Sequence, residues 1–272
     1  MHFDITSSNK LIVPGTDIVL TFTHASDAFR LHTSSDETPA RAYFVEIAHF
    51  QLVVRRYTLT PELSQSIERQ LIAGSTVPYH IFRHCISGPF EVSSGSSSFR
   101  QTLSLGQRPA SLLVWQIDAR APSSSHYTPL NFEHFSLAKV FATFEGKQTP
   151  SAELSAIDFT RTTREKIESQ DTLQHFRQLL RLSGCDQQFD NGLTFEEFLG
   201  GKTIIGIPLS EEQLAAGYVG ESQIGSLSLT LEWETPLAQN ILIYALGVFN
   251  DRIDMHPLNK LTTTSYIPGS FG

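Results

Sequence analysis

The sequence predicts an all-β protein, a jelly-roll β-sandwich with short helical insertions. Three observations lead there. From Gly225 to His256, Leu227, Leu229 and Leu231 alternate with Ser228, Thr230 and Glu232, the period of a strand with one buried and one wet face. A short connection holding Pro236 and Asn240 then leads into a second apolar run, Ile241 to Val248. Strand patterns recur along the whole chain, with no alternation of strands and helices of the βαβ kind.

The elements follow in order. Pro14-Gly15 marks a turn before an alternating strand over Ile18 to Thr23. Ala42 to Tyr57 reads as a long β run with a break near His49-Phe50, with Tyr43, Val45 and Ile47 on one face and Phe44, Glu46 and Ala48 on the other. Thr60-Pro61 opens a helix carrying Leu63, Ile67 and Leu71 at helical spacing, which Gly74 ends. Strands follow over Tyr79 to Ile86, Phe99 to Leu105, Leu112 to Ile117 and Phe135 to Phe144, the last closing on a Glu145-Gly146 turn. Ser93 to Ser98 reads as a mobile tip and Ala121 to Ser125 as a flexible loop. Arg164 to Leu182 is the strongest helix, capped by Ser183-Gly184. A strand over Thr203 to Ile207, a helical turn within Ser210 to Gly217 and the final strand pair complete at least eight strands. The whole chain, 1–272, is expected as one jelly-roll domain, with a polar, extended or loose tail over 257–272.

Composition narrows the function. The 272 residues suffice for one large sandwich, and the 19 phenylalanines suit the gap between two packed sheets. Charged residues make up only 18%, a level that suits a subunit packed among neighbours. Net charge is −8 and no basic run exceeds Arg55-Arg56, so the electrostatic footprint of a nucleic-acid binder is absent. Cys85 and Cys185 are too few for a disulfide framework and read as reduced thiols. No apolar stretch reaches the ~20 residues of a membrane span, and MHFDITSSNK lacks a signal-peptide core, so the expectation is a chain made in the cytoplasm.

Each catalytic pattern fails on its own residues. Gly201-Lys202-Thr203 resembles the end of a phosphate loop, but Glu196 stands where the first glycine belongs. In the stretch from Asp186 to Glu197, which resembles a calcium loop, Asn191 occupies the glycine position. His80 and His84 share a strand face without an obvious third ligand; His126 and His134 flank a turn. Cys85 and His84, adjacent on a strand, point to opposite faces and form no dyad. Neither catalytic, cofactor-binding nor metal-ligating residues are assigned, and no enzyme activity is expected.

Seven stretches in order resemble the major capsid protein of Polinton (Maverick) elements and adintoviruses. They are HFDI with LIVPGTDIVLTFTHASDAFRL (His2 to Leu31), Val45 to Gly74, VPYHIFR (Val77 to Arg83), Leu105 to Ala119, PLNFEHF (Pro129 to Phe135), Phe189 to Glu212 and Gly225 to His256. The resemblance implies the C-terminal half of a double jelly roll that trimerises into pseudo-hexagonal capsomers of an icosahedral shell. It implies a virion location, and as partners further copies of itself, the upstream jelly-roll half and other capsid proteins such as penton or minor capsid protein. Residues 1–10 are then expected as the end of an upstream roll, and Gln51 to Ala73 and Arg164 to Gly192 as subunit contacts. The chain would be a fragment, a split reading frame or a domesticated copy. The alternatives are a domesticated host binding module, monomeric and using loops near Ser94 and Ser123, and a metal-dependent jelly-roll enzyme.

Overall fold

A computed structural model describes residues 10–14, 16–23, 25, 46–104, 106–123, 127–151, 156–159, 171–183, 192–210, 223–256 and 261–264. The elements are α1 (Pro61–Ile72), β1 (Val77–Val92), β2 (Ser98–Ser104), β3 (Ser111–Asp118), β4 (Leu137–Phe144), β5 (Lys147–Thr149), α2 (Asp171–Leu182), α3 (Phe195–Leu199), β6 (Ile204–Pro208), β7 (Leu227–Trp233), β8 (Ile241–His256) and β9 (Leu261–Thr264).

Strand pairing defines the architecture. β1 pairs with β8, β2 with β7, β3 with β6 and β4 with β5, all antiparallel. That is one long hairpin rolled on itself. It divides into two sheets of order β1-β8-β3-β6 and β2-β7-β4-β5, the connectivity of a jelly roll. Closing the hairpin over itself brings strands distant in sequence into register, so Leu112 faces Gly247 and Gln101 faces Leu229.

The core lies between the sheets. Leu227, Leu229 and Leu231 are at most 1% exposed, and they meet Leu112, Val114, Ile205, Ile207, Ile241 and Ile243 from the opposite sheet. The period-two expectation for Leu227, Leu229, Leu231 and Val114 is met side chain by side chain. One polar link crosses this interior: the Trp233 indole N–H donates to Gln116 Oε1 at 2.9 Å, so neither buried polar group is stranded.

β1 and β8 run for 16 residues each, while β7 spans seven and β3 and β4 eight. Beyond Val248, β8 leaves β3 and continues as a ribbon with β1, joined by β9 at Ile253–His256. The tail expected to be extended or loose is therefore a laddered strand over Leu261–Thr264. Tyr79 is fully buried at the ribbon, donating its hydroxyl to Leu11 O at 2.9 Å, and burial pushes its phenol above the ordinary value. β1 bulges between Ser87 and Phe90, where Gly88 has φ +107° and a Cβ would lie 2.7 Å from Ile243 O.

Helical insertions pack on the face of β6. α2 lies against β6, and Gly206 makes the approach possible: a Cβ there would sit 2.7 Å from Leu182 Cδ1. Phe176, Phe195 and Phe198 form an aromatic cluster that extends the core under the helices. The expected helix over Arg164 to Leu182 is described only from Asp171; its first turns, and the expected Ser210 to Gly217 turn beyond Ser210, lie outside the described residues. The short helix α3 overlaps the end of the Asp186 to Glu197 stretch that resembles a calcium loop. Its signal is Thr194-x-x-Glu197, a reciprocal capping box.

Two expected strands are absent. Ile18 to Thr23 and the described part of Ala42 to Tyr57, residues 46–57, have extended-strand composition but no ladder. A β pattern makes a strand only where a partner offers its edge, and here the eight strands of the roll are paired among themselves.

Candidate assembly surface

Before β1 the chain behaves unlike the roll. Of sixteen exposed large apolar side chains among the described residues, twelve lie between Leu11 and Ile72. Val19 is 86% exposed, Val53 88% and Ile72 68%. Phe22 meets Phe50 edge-on at 4.7 Å, so the two extended segments 16–23 and 46–59 touch each other. Neither contributes a side chain to the core.

α1 adds further exposed apolar side chains. Thr60 begins it without a side-chain cap, Pro61 supplies the preset φ of the first turn, and Gly74 at φ +85° follows its end. Leu63, Ile67 and Leu71 form one apolar stripe, yet none of the twelve helical residues is buried. A helix this short is marginal in water without a surface to cover that stripe. Together the twelve exposed side chains present on the order of 1,000 Å² of apolar surface, against the roughly 800 Å² per partner that a stable interface buries.

The roll's edges differ in how they are finished. β6 carries α2 on its face at Gly206, and β5 is only three residues long. β1 stands at the end of its sheet with β8 on one side, and no strand flanks its other side among the described residues. Pro78 and Pro89 bracket its middle, and Lys10 Nζ donates to Pro78 O at 2.8 Å at its start. Ile86 on this stretch is 61% exposed.

Charge at this edge is arranged inward. Arg83 Nε donates to Asp251 Oδ2 at 2.6 Å, stacks its guanidinium 4.2 Å from the Phe249 ring, and donates to Cys85 Sγ at 2.7 Å. Asp251 is almost wholly buried, so this ion pair anchors the ribbon.

The residues weighed from sequence for other chemistry are occupied structurally. Lys202 Nζ donates to Glu197, and Thr203 donates its hydroxyl to Phe198 O at 2.6 Å. Those bonds, with the Thr194 cap, hold the Glu197 carboxyl down to about 2, Lys202 being the largest cause. Lys202 of the phosphate-like stretch and Glu197 of the calcium-like stretch thus serve the α3 cap; Asp186 and Asp190 lie outside the described residues. His80 and His84 share a face of β1, His134 stacks on Phe159 at 4.1 Å, and His126 and Cys185 lie outside the described residues. No group of three His, Cys, Asp or Glu placed to hold a metal exists among the described residues. No described helix is long and apolar enough to cross a membrane. The Ser93 to Ser98 tip, read as mobile, is pinned by Gly95 N–H to Leu237 O at 2.7 Å and Leu237 N–H to Ser96 O at 2.9 Å.

No family model matches the chain, and no curated protein does. It is similar to several solved structures. A cryo-EM structure of the Sputnik virophage aligns with TM-score 0.38 at 14% identity, over 70% of this chain and 38% of that one. VP54 of PBCV-1, fitted into a reconstruction of the virophage Sputnik, aligns with TM-score 0.39 at 11% identity, over 75% and 55%. The mavirus major capsid protein aligns with TM-score 0.35 at 10% identity, over 69% and 41%. The chain spans about two-fifths to just over half of the length of these chains. The fold assignment itself rests on the strand ladder described above.

Proposed function

We propose that this chain is a structural subunit of a viral shell, the C-terminal jelly roll of a major capsid protein of the Polinton/adintovirus type. It works by self-association into trimeric capsomers and by joining an upstream roll and other capsid proteins. The whole chain acts as one jelly-roll domain with its N-terminal arm reaching outward.

The observation that carries this reading is the exposed apolar surface of residues 16–23, 46–59 and α1, which is of interface size and adds no side chain to the core of its own roll. The ordered resemblance over Val45 to Gly74 falls on this arm, and the expected contact segment Gln51 to Ala73 coincides with its exposed part. The other expected contact segment, Arg164 to Gly192, packs its described helix on the face of β6 in its own roll, leaving the arm as the main contact.

Light scattering on the chain alone, and then mixed with the upstream roll, tests the proposal. A trimer alone, or a larger assembly on mixing, is expected. A persistent monomer in both samples would overturn it in favour of a monomeric binding module.

A further inference from the structure

A cavity of about 520 Å³ lies where an end strand of each sheet meets α2. That volume falls within the range of small-ligand sites. One wall is β5, the last strand of its sheet, with Pro150 and Ser151 after it; another is β6, the last strand of the other sheet, with Leu209. α2 supplies the third wall through side chains spaced one helical face apart, Gln174, Gln178 and Arg181 among them. The chain carries a net charge of −8, yet no acidic side chain lines this cavity among the described residues.

Two lining groups lack a protein partner. Gln178 Nε2 is shut off from solvent and has no acceptor. A buried amide donor in that state costs the fold stability unless something else takes the bond. On the β5 wall, Lys147 forms no ion pair among the described residues. His175 and Arg181 also line the cavity, but each has a partner of its own, so the free donors are those of Lys147 and Gln178. We propose that this cavity binds a carboxylate group, with Lys147 as its counter-charge, Gln178 Nε2 as a hydrogen-bond donor and Pro208 and Leu209 against the apolar body of the ligand. One unpaired ammonium matches a single negative charge better than a phosphate dianion, and carboxylate oxygens accept from an ammonium and an amide together. The group arrives either on a free small acid or on an acidic side chain of a protein segment. This site stands apart from the shell reading, and its test needs no particular oligomeric state.

Saturation-transfer-difference NMR on the full chain tests it. The ligands are butyrate, its neutral counterpart butyramide, and two short glycine-serine peptides that carry one glutamate or one glutamine. At least one acid is expected to bind saturably, about tenfold more tightly than its neutral counterpart. Binding of butyrate alone would assign the site to a free acid, and binding of the glutamate peptide alone to a protein segment. Lys147→Met should weaken the bound acid by about tenfold. Lys139→Met, which removes a surface pair with Glu232, should leave it unchanged. Gln178→Met, close in volume, should weaken the acid and, with no acid present, raise Tm by about 2 °C by removing the orphaned donor. Circular dichroism checks that each variant keeps its strand signal. Absence of binding by both acids, equal binding of acid and neutral counterpart, or unchanged affinity in Lys147→Met would overturn the proposal. A lower Tm with unchanged affinity in Gln178→Met would place that amide's role within the fold and overturn it as well.

Discussion

The sandwich and the arm before it are written in the same alphabet and end in opposite states. In β7, Leu227, Leu229 and Leu231 are at most 1% exposed; in the arm, Val53 is 88% exposed and its neighbours Leu52 and Val54 exceed half. Both stretches are rich in residues that favour strands. What separates them is the partner. β7 has β2 on one side, β4 on the other and a second sheet above, whereas residues 46–57 have none of these in their own roll. Apolar patterning states that a segment needs to be buried; it does not state against which chain.

The sharpest way to break this contrast is to put the same charge into both regions. Leu229→Asp places a carboxylate in a fully buried site and is expected to unfold the chain, at a cost above the ~2–5 kcal/mol of a large-to-small core change. Circular dichroism and solubility report it; retained native strand signal would sink the register assigned here. Val53→Asp is expected to leave monomer stability within about 0.5 kcal/mol while reducing the oligomer in light scattering.

A smaller effect is expected at the ribbon. Arg83→Met leaves the Asp251 carboxylate buried without its ion pair and should cost about 3 kcal/mol in urea unfolding. Adding Asp251→Leu should recover most of that loss, since a buried pair removed whole is close to neutral. Next comes Gly206→Ala, whose Cβ would press on the Leu182 tip and shift α2, at about 1–2 kcal/mol by the same assay.

The smallest change is at α3. Thr194→Ala removes the side-chain half of the capping box and should cost about 1 kcal/mol. The pH dependence follows from the lowered Glu197 carboxyl. A carboxylate depressed on folding contributes stability that is fully present above its unfolded value and is lost as pH falls toward about 2. Wild type and Glu197→Gln should therefore differ at neutral pH and converge as the pH falls to about 2; a constant gap across that range would show the carboxylate charge to be irrelevant to the cap.

Much of the fold was legible before any coordinates. The β-rich class, the final strand pair, the buried faces of β3 and β7, the α1 boundaries and the Glu145-Gly146 turn follow from local rules, because period, caps and turn residues act within a few positions. The α3 helix was legible too, in Thr194-x-x-Glu197, but it lay under a stretch that resembled a calcium loop. The expected strands at Ile18 to Thr23 and across 46–57 failed for the reason the opening comparison shows.

The amino-acid sequence by itself determined which residues prefer extended backbone, which faces must be dry and where the chain turns, since these depend on side-chain sterics and spacing. Only the tertiary structure decided the pairing of β1 with β8 and β2 with β7, the burial of Arg83 against Asp251 across 168 positions, and the exposure of the arm. Those outcomes depend on long-range competition for a limited number of strand edges, which no local window of residues encodes.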